Sequence, residues 1–396
     1  VNNKVEIRRY TNFFLRLMQV LIVMGADINR IYIGIMSGTS MDGIDVAITK
    51  IYQNSISILE KITVDYSNLT VTELEAIILE KRNPTIHQLA TLDIQIGREF
   101  AMAANLTIQK LGLPTPNVIA IGSHGQTLRH SPFGSEPYSL QIGDGATIAA
   151  LTDFTCVSNF RSMDVAKGGE GAPLVPAFHE WCFASSSGER IILNIGGIAN
   201  LTILNSQSKT IGYDTGPGNC LMDEWSKLHL GKPYDDNGSC AATGKPIPIL
   251  LKNLLDHEYL KKPIPKSTGR ELFNLEFLQE KISECSLKKI SAEDVQATLL
   301  EFSVQSIKAA LENSAQENSS PIFICGGGFQ NKTLVRSLEN CLSTREVSST
   351  ECLGYDPSFV EAAAFSWLAY MRINRLPVKL VTSDKIRYLH LGAIHR

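Results

Sequence analysis

The stretch Ile31–Lys50, IYIGIMSGTSMDGIDVAITK, decides the fold. Two apolar runs, Ile31–Met36 and Ile44–Ile48, flank a polar turn, Ser37–Gly43. Each run has strand length and is rich in β-branched residues, which predicts strand, turn, strand. The turn is too long and too polar for a two-residue hairpin. Gly38 and Gly43 let the backbone come close to a ligand. Ser37, Thr39 and Ser40 supply hydroxyls, and successive N–H groups can form an anion-binding concavity. Asp42 and Asp45 beside such an anion make sense if a metal or a reacting group sits between them.

Outward from this turn, the same arrangement returns in the second half. Arg190–Ile195 reads as a buried strand, Asn194–Asn200 as a Gly turn, and Leu201–Leu204 and Thr210–Tyr213 as further strands. This is a weak internal repeat, architectural more than literal. Two more glycine turns follow predicted strands, at Asp214-Thr215-Gly216-Pro217-Gly218-Asn219 and at Gly326-Gly327-Gly328. The first opens a predicted helix, Cys220–Leu230, whose N-terminal N–H groups would face an anion. The second fits neither GxxxxGK[ST] nor GxGxxG, because Asn331 stands where the last Gly of the former belongs. Its adjacent glycines would let a flat ring lie against bare backbone.

Between these two strand–turn–strand openings lie two polar segments. Ser123-His124-Gly125-Gln126-Thr127 follows a short strand, Asn117–Ile121, where open α/β sheets place ligands. His124, Gln126 and Thr127 can hydrogen-bond sugar hydroxyls. Phe160–Gly171 holds Arg161 and Asp164 on a glycine-rich backbone, which suggests a substrate loop at a hinge. Helices are predicted at Thr70–Lys81, Ile86–Leu111, Ala146–Leu151 with Asp144 as N-cap, Pro176–Ala184, Leu250–Leu260, Leu275–Ile282, Ala292–Asn313, Lys332–Cys341 and Ser358–Arg372. The last carries Glu361 and a face of small residues, Ala362–Ala364, suited to close packing. Asp235 and Asp236 lack a third ligand at a useful spacing, so a surface loop is expected there and no metal ligand set is assigned.

SGTSMDGID, IGSHGQT, the FRxxDxAxGGxGAPL stretch and DTGPGN resemble the signatures of the anhydro-N-acetylmuramic acid kinases. That family belongs to the superfamily of acetate and sugar kinases, heat-shock chaperone ATPases and actin. The resemblance runs from Ile31 to about residue 375. It implies an α/β, two-domain, actin-like (ribonuclease H-like) fold with a nucleotide cleft between the lobes. The lobes would be 31–185 and 186–396, after an N-terminal extension 1–30, with the last helix a candidate to pack back on the first lobe. It implies ATP contacts at Gly38, Thr39, Ser40, Met41, Asp42, Gly43, Ile44, Asp45, Gly196 and Gly197, and adenosine contacts at Gly326, Gly327 and Gly328. Asp214 would be the catalytic base, and His124, Gln126, Thr127, Arg161, Asp164 and Glu361 would line the sugar site. The implied reaction uses ATP and Mg²⁺ to open the anhydro ring and phosphorylate O6, as part of peptidoglycan recycling. An ordinary sugar kinase and an actin-like ATPase switch are the alternatives. The polar cluster His124, Gln126, Arg161 and Asp164 argues against the switch.

Bulk properties agree with a small-molecule enzyme. The chain has 396 residues, 44% hydrophobic and 19% charged, with a net charge of −3. There is no basic excess to bind nucleic acid or an anionic membrane. Eight cysteines include no pair within four positions, which excludes C-x-x-C chemistry and fits buried thiols in a reducing cytosol. Phe13–Met24 after Lys4, Arg8 and Arg9 loosely mimics a secretory signal. Arg16 and Gln19 interrupt it, and a cytoplasmic homodimer with a non-native or alternative start is expected.

Overall fold

The computed structural model describes residues 30–38, 41, 43–52, 55–78, 82–112, 117–205, 210–285, 290–315, 319–381 and 385–396. The opening stretch forms the expected hairpin. β1 (Ile31–Met36) pairs antiparallel with β2 (Ile44–Tyr52), and β2 pairs antiparallel with β3 (Ser55–Val64). β4 (Val118–Ser123) then lies parallel to β1. β5 (Gln126–Ser131) and β6 (Tyr138–Ile142) make a separate hairpin, and β7 (Cys156–Ser158) lies parallel to β4.

The second half repeats this plan. β8 (Arg190–Ile195), β9 (Ile198–Leu204) and β10 (Ile211–Pro217) form an antiparallel meander. β11 (Ile322–Cys325) is parallel to β8, and β12 (Val347–Ser349) is parallel to β11. The sheet orders are β15-β7-β4-β1-β2-β3 and β10-β9-β8-β11-β12, where β15 (Ala393–His395) adds an antiparallel edge to the first. β13 (Val378–Val381) and β14 (Ile386–Leu389) form a small hairpin of their own. Two sheets built on one strand order, each with helical connections, make this a two-lobe actin-like α/β fold.

The helix Val360–Ile373 packs on the first sheet. The reason is visible in the glycines beneath it. Gly34 on β1 and Gly122 on β4 are paired in register. A Cβ on Gly34 would fall 1.7 Å from the Ala362 carbonyl oxygen, and one on Gly122 would fall 2.0 Å from that of Phe365. Backbone therefore lies directly on backbone, and the Ala362–Ala364 face allows it. An apolar cluster continues from this helix through Phe178, Phe183, Ile192 and Phe323, so it joins the two sheets. The other two clusters sit within single lobes, one around Ile33, Ile96 and Phe100 and one around Leu193, Phe302 and Ile324.

Several local expectations shift. The predicted helix Leu250–Leu260 is two helices, Pro248–Leu255 and Glu258–Lys261, because His257 turns the chain and its Nδ1 caps Tyr259 N–H at 3.1 Å. The loop Phe160–Gly171 contains one helical turn, Ser162–Ala166. β10 runs on past Tyr213 to Pro217, so Asp214 lies inside a strand. The short strands β5 and β12 to β15 had no distinct apolar period to announce them. Asp144 caps its helix as expected, accepting from Thr147 N–H at 2.6 Å. Asp235 is buried, accepting from the N–H groups of Cys240 and Ala241 at 2.8 and 2.9 Å.

Candidate active site

Asp214 sits at an irregularity in β10. It pairs with Asn200 while Gly216 pairs with Ala199, so Thr215 is an extra residue. A bulge of this kind bends a strand and re-aims its side chains, and bulges concentrate at sites of chemistry. The surrounding segment is woven onto Asp214. Its N–H donates to Lys266 O at 2.9 Å, its carbonyl accepts from the Tyr259 hydroxyl at 2.7 Å, and its Oδ2 accepts from Thr268 N–H at 3.0 Å. Burial raises the Asp214 pKa to about 7, partly offset by the Thr268 N–H and by Arg161, while Glu170 and Glu271 add to the rise. A carboxylate with a pKa near neutrality can accept a proton and still be ionised at working pH.

Arg161 comes to Asp214 from the other lobe. Burial lowers its pKa, and the charges of Asp214 and Glu361 both oppose that shift. Its Nη2 donates to His124 Nε2 at 2.9 Å, while His124 Nδ1 donates to Ser37 O at 3.3 Å. This network fixes the neutral tautomer. Burial, reinforced by Arg161, holds the His124 pKa down to about 3. Arg161 thus bonds His124 while the charges of Asp214 and Glu361 act on its guanidinium.

Other expected residues are engaged elsewhere. Gln126 is fully buried and accepts from Ser37 Oγ at 2.8 Å and the Tyr66 hydroxyl at 3.2 Å, while donating to Gly38 O at 3.2 Å. It pins the first loop from beneath. Thr127 Oγ1 accepts from Gln141 Nε2 at 3.3 Å. Asp164 Oδ2 accepts from Gly171 N–H at 2.8 Å, and Asp164 Oδ1 lies 3.1 Å from Arg387 Nη2. Asp45 Oδ1 accepts from Thr63 Oγ1 at 2.6 Å.

Of the first loop, Thr39, Ser40 and Asp42 lie outside the described residues. Met41 takes a positive φ of 57° and donates its N–H to Gly38 O at 3.3 Å. Strained backbone of this sort clusters at ligand clamps. The Ile44 side chain is in the core, so only its backbone can reach a ligand. In the second lobe the N–H groups of Gly218, Asn219 and Cys220 do not face an anion. They donate to the carbonyls of Gly196 and Gly197 at 2.9 to 3.1 Å and fasten that turn to the helix Cys220–His229. Gly326 has φ +84° and no room for a Cβ, which would fall 2.3 Å from Asn194 Oδ1. Gly328 packs on Ile195, and Gly327 faces open space.

Sequence reading missed several neighbours. Thr268 and Glu271 lie in a segment without an assigned role, Glu170 hides in a glycine run, and His130 sits on an unannounced strand. Arg161 Nε, His130 Nε2 and Thr268 Oγ1 are buried and find no hydrogen-bond acceptor or donor among the described residues. Buried polar groups left open in this way are suited to a polar ligand.

A family model described as anhydro-N-acetylmuramic acid kinase matches residues 30–396. A protein of that name from Actinobacillus pleuropneumoniae serotype 7 (strain AP76) is 42% identical over 376 residues, 92% of this chain and 99% of its own. Another from Photobacterium profundum is 43% identical over 355 residues, 88% of this chain and 94% of its own. Among solved structures, a ROK family glucokinase from Streptomyces griseus in complex with glucose and AMPPNP aligns with a TM-score of 0.38 at 11% identity, over 85% of this chain and 98% of its own. Component A of the Acidaminococcus fermentans (R)-2-hydroxyglutaryl-CoA dehydratase aligns with a TM-score of 0.46 at 12% identity, over 87% and 99%.

Proposed function

Because the chain belongs to the anhydro-N-acetylmuramic acid kinase family, we propose that Asp214 is the base of an ATP-dependent kinase that opens the 1,6-anhydro ring of anhydro-N-acetylmuramic acid and phosphorylates O6. The product is N-acetylmuramic acid 6-phosphate, which serves peptidoglycan recycling. Asp214 takes a proton from a water molecule as its oxygen bonds to C1. The C1–O6 bond breaks, and O6 takes the γ-phosphoryl group of ATP as the bond to the β-phosphate oxygen breaks and ADP leaves. The reaction joins inverting glycoside hydrolysis to phosphoryl transfer. One observation carries this reading: a carboxylate re-aimed by a bulge, anchored by Thr268 N–H and lifted toward neutrality in a cleft.

Arg161, His124 and Glu361 would hold the sugar, with Thr127 at the edge. Gln126 and Asp164 would shape this site from behind. The first loop, from Gly38 to Asp45, and Gly196-Gly197 would face the phosphates, and Gly326–Gly328 the adenosine, with the ring over open Gly327. No group of three metal-ligating side chains occurs among the described residues. A Mg²⁺ carried mainly by nucleotide phosphates and water needs at most one or two carboxylates, so the residues fit that mode. When bound it would neutralise phosphate charge. The eight cysteines are all unpaired, which supports a reducing, cytoplasmic setting. Among the described residues no helix is long and apolar enough to cross a membrane. Homodimeric assembly belongs to the same reading, and sedimentation velocity reads it. The deciding test of mechanism is turnover in heavy-oxygen water. Mass spectrometry should find the label at C1 of the sugar phosphate, and a product without label would sink the proposed role of water.

A further inference from the structure

We propose that Arg387 and Asp164 form a positioning clip that holds the substrate loop in shape, so that Arg387 governs sugar turnover without touching the sugar. The inference rests on the reading of Asp214 as the base.

The loop winds around the Asp164 carboxylate. Gly169 N–H donates to Asp164 O at 2.8 Å, and Gly171 N–H donates to Asp164 Oδ2 at 2.8 Å. Arg387, on β14, closes the winding from outside. Its Nη2 lies 3.1 Å from Asp164 Oδ1, and its Nη1 donates to Lys167 O at 3.2 Å. The two side chains are only 12% and 6% exposed, so the pair is desolvated and water competes weakly for it. Removing one member of such a pair leaves an uncompensated buried charge. Gly169 is required at the contact, since a Cβ there would fall 2.3 Å from both Arg387 Nη2 and Asp164 Oδ2.

The clipped loop presents a charged group at each end. At one end Arg161 reaches His124 and faces Asp214 and Glu361. At the other, Glu170 accepts from Ser267 Oγ at 2.9 Å and also faces Asp214. A fork-shaped guanidinium can hold a carboxylate and a carbonyl at once, which a lysine cannot reproduce. The clip thus fixes the spacing of the two charges that the first lobe brings to the base.

The test compares Arg387→Ala with wild type in sugar phosphorylation. A small displacement of positioning groups costs roughly ten- to hundredfold. The expected result is a kcat lowered by that factor with the KM for ATP unchanged. Arg387 lines a pocket with Glu170, Lys266 and Lys379, which gives free guanidinium a way in. Millimolar guanidinium should restore part of the lost turnover in Arg387→Ala and none in Asp214→Asn. Gly169→Ala, which wedges the pair apart while keeping both charges, should show the same kcat loss. Wild-type turnover in Arg387→Ala overturns the proposal, as does a folded variant whose loss guanidinium does not lift. Should Arg387→Ala fail to fold, Gly169→Ala decides: normal kcat in that folded variant overturns the clip. An active Asp214→Asn would instead remove the base and leave the clip result standing.

Discussion

The two sheets share one strand order, yet their first turns are held in opposite ways. In the first lobe the turn between β1 and β2 is long, and side chains hold it: Gln126 bonds Ser37 and Gly38, and His124 bonds the Ser37 carbonyl. In the second lobe the turn between β8 and β9 is only Gly196-Gly197, and backbone holds it, through the N–H groups at the start of the next helix. Side-chain anchors can let go one at a time, whereas a backbone anchor moves only with its helix. The first lobe therefore has an adjustable grip, and the second a rigid frame that aims Asp214.

Experiments can break this contrast at successive depths. The deepest cut is Asp214→Asn, which should lower turnover about 10²–10⁴-fold while both ligands still bind. Steady-state assays paired with calorimetry read it, and near-normal turnover would leave the rigid frame with nothing to aim. Gly34→Val comes next. It drives a side chain into the Ala362 backbone, so ~3 kcal/mol or more of stability should disappear in denaturant unfolding. Gln126→Leu and Gly218→Ala then test the two anchors separately. Gln126→Leu removes the oxygen that accepts from the Ser37 and Tyr66 hydroxyls and the amide that donates to Gly38 O, and should cost about 2 kcal/mol, with a raised KM for ATP. Gly218→Ala places a Cβ 2.2 Å from Gly196 O, and should lower kcat because the frame shifts as one piece. Equal effects on KM and kcat in both variants would erase the distinction.

The last test is in pH. A base with a pKa near 7 must be ionised, so kcat/KM should climb about tenfold per unit below pH 7 and level off above it. His124, held near 3, stays neutral across that range and adds no limb. The stability sign is opposite. The folded state holds the Asp214 proton more tightly than the unfolded chain, so the stabilisation is complete below about 3.8 and is lost as pH rises through about 7. Asp214→Asn should be more stable than wild type at pH 8, by up to roughly 4 kcal/mol, and no more stable at pH 3. Thermal melts at the two pH values measure it.

Much of the architecture was legible because it rests on local pattern. β1, β8 and the helix Ile86–Leu111 begin and end where the apolar periods do. Asp214 stood out as a candidate from its place after a strand, but the bulge at that point did not, since a one-residue slip leaves no periodic trace. The partners of Asp164 and Gln126 were equally hidden. Arg387 and Asp164 are far apart in sequence, and neither their pairing nor the burial of the Gln126 amide follows from composition. Polar side chains near a cleft read alike in sequence whether they meet a ligand or brace a loop, and only their hydrogen bonds separate the two.

The helix Val360–Ile373 and the edge strand β15 come from the far end of the chain and complete the first sheet. During synthesis the first lobe must emerge from the ribosome with the glycine seam of β1 and β4 uncovered, and wait through the whole of the second lobe for its lid. The halves are therefore duplicated in plan but not independent in birth. A nascent chain arrested before residue 360 would display an apolar, backbone-bare surface, the kind that chaperones capture.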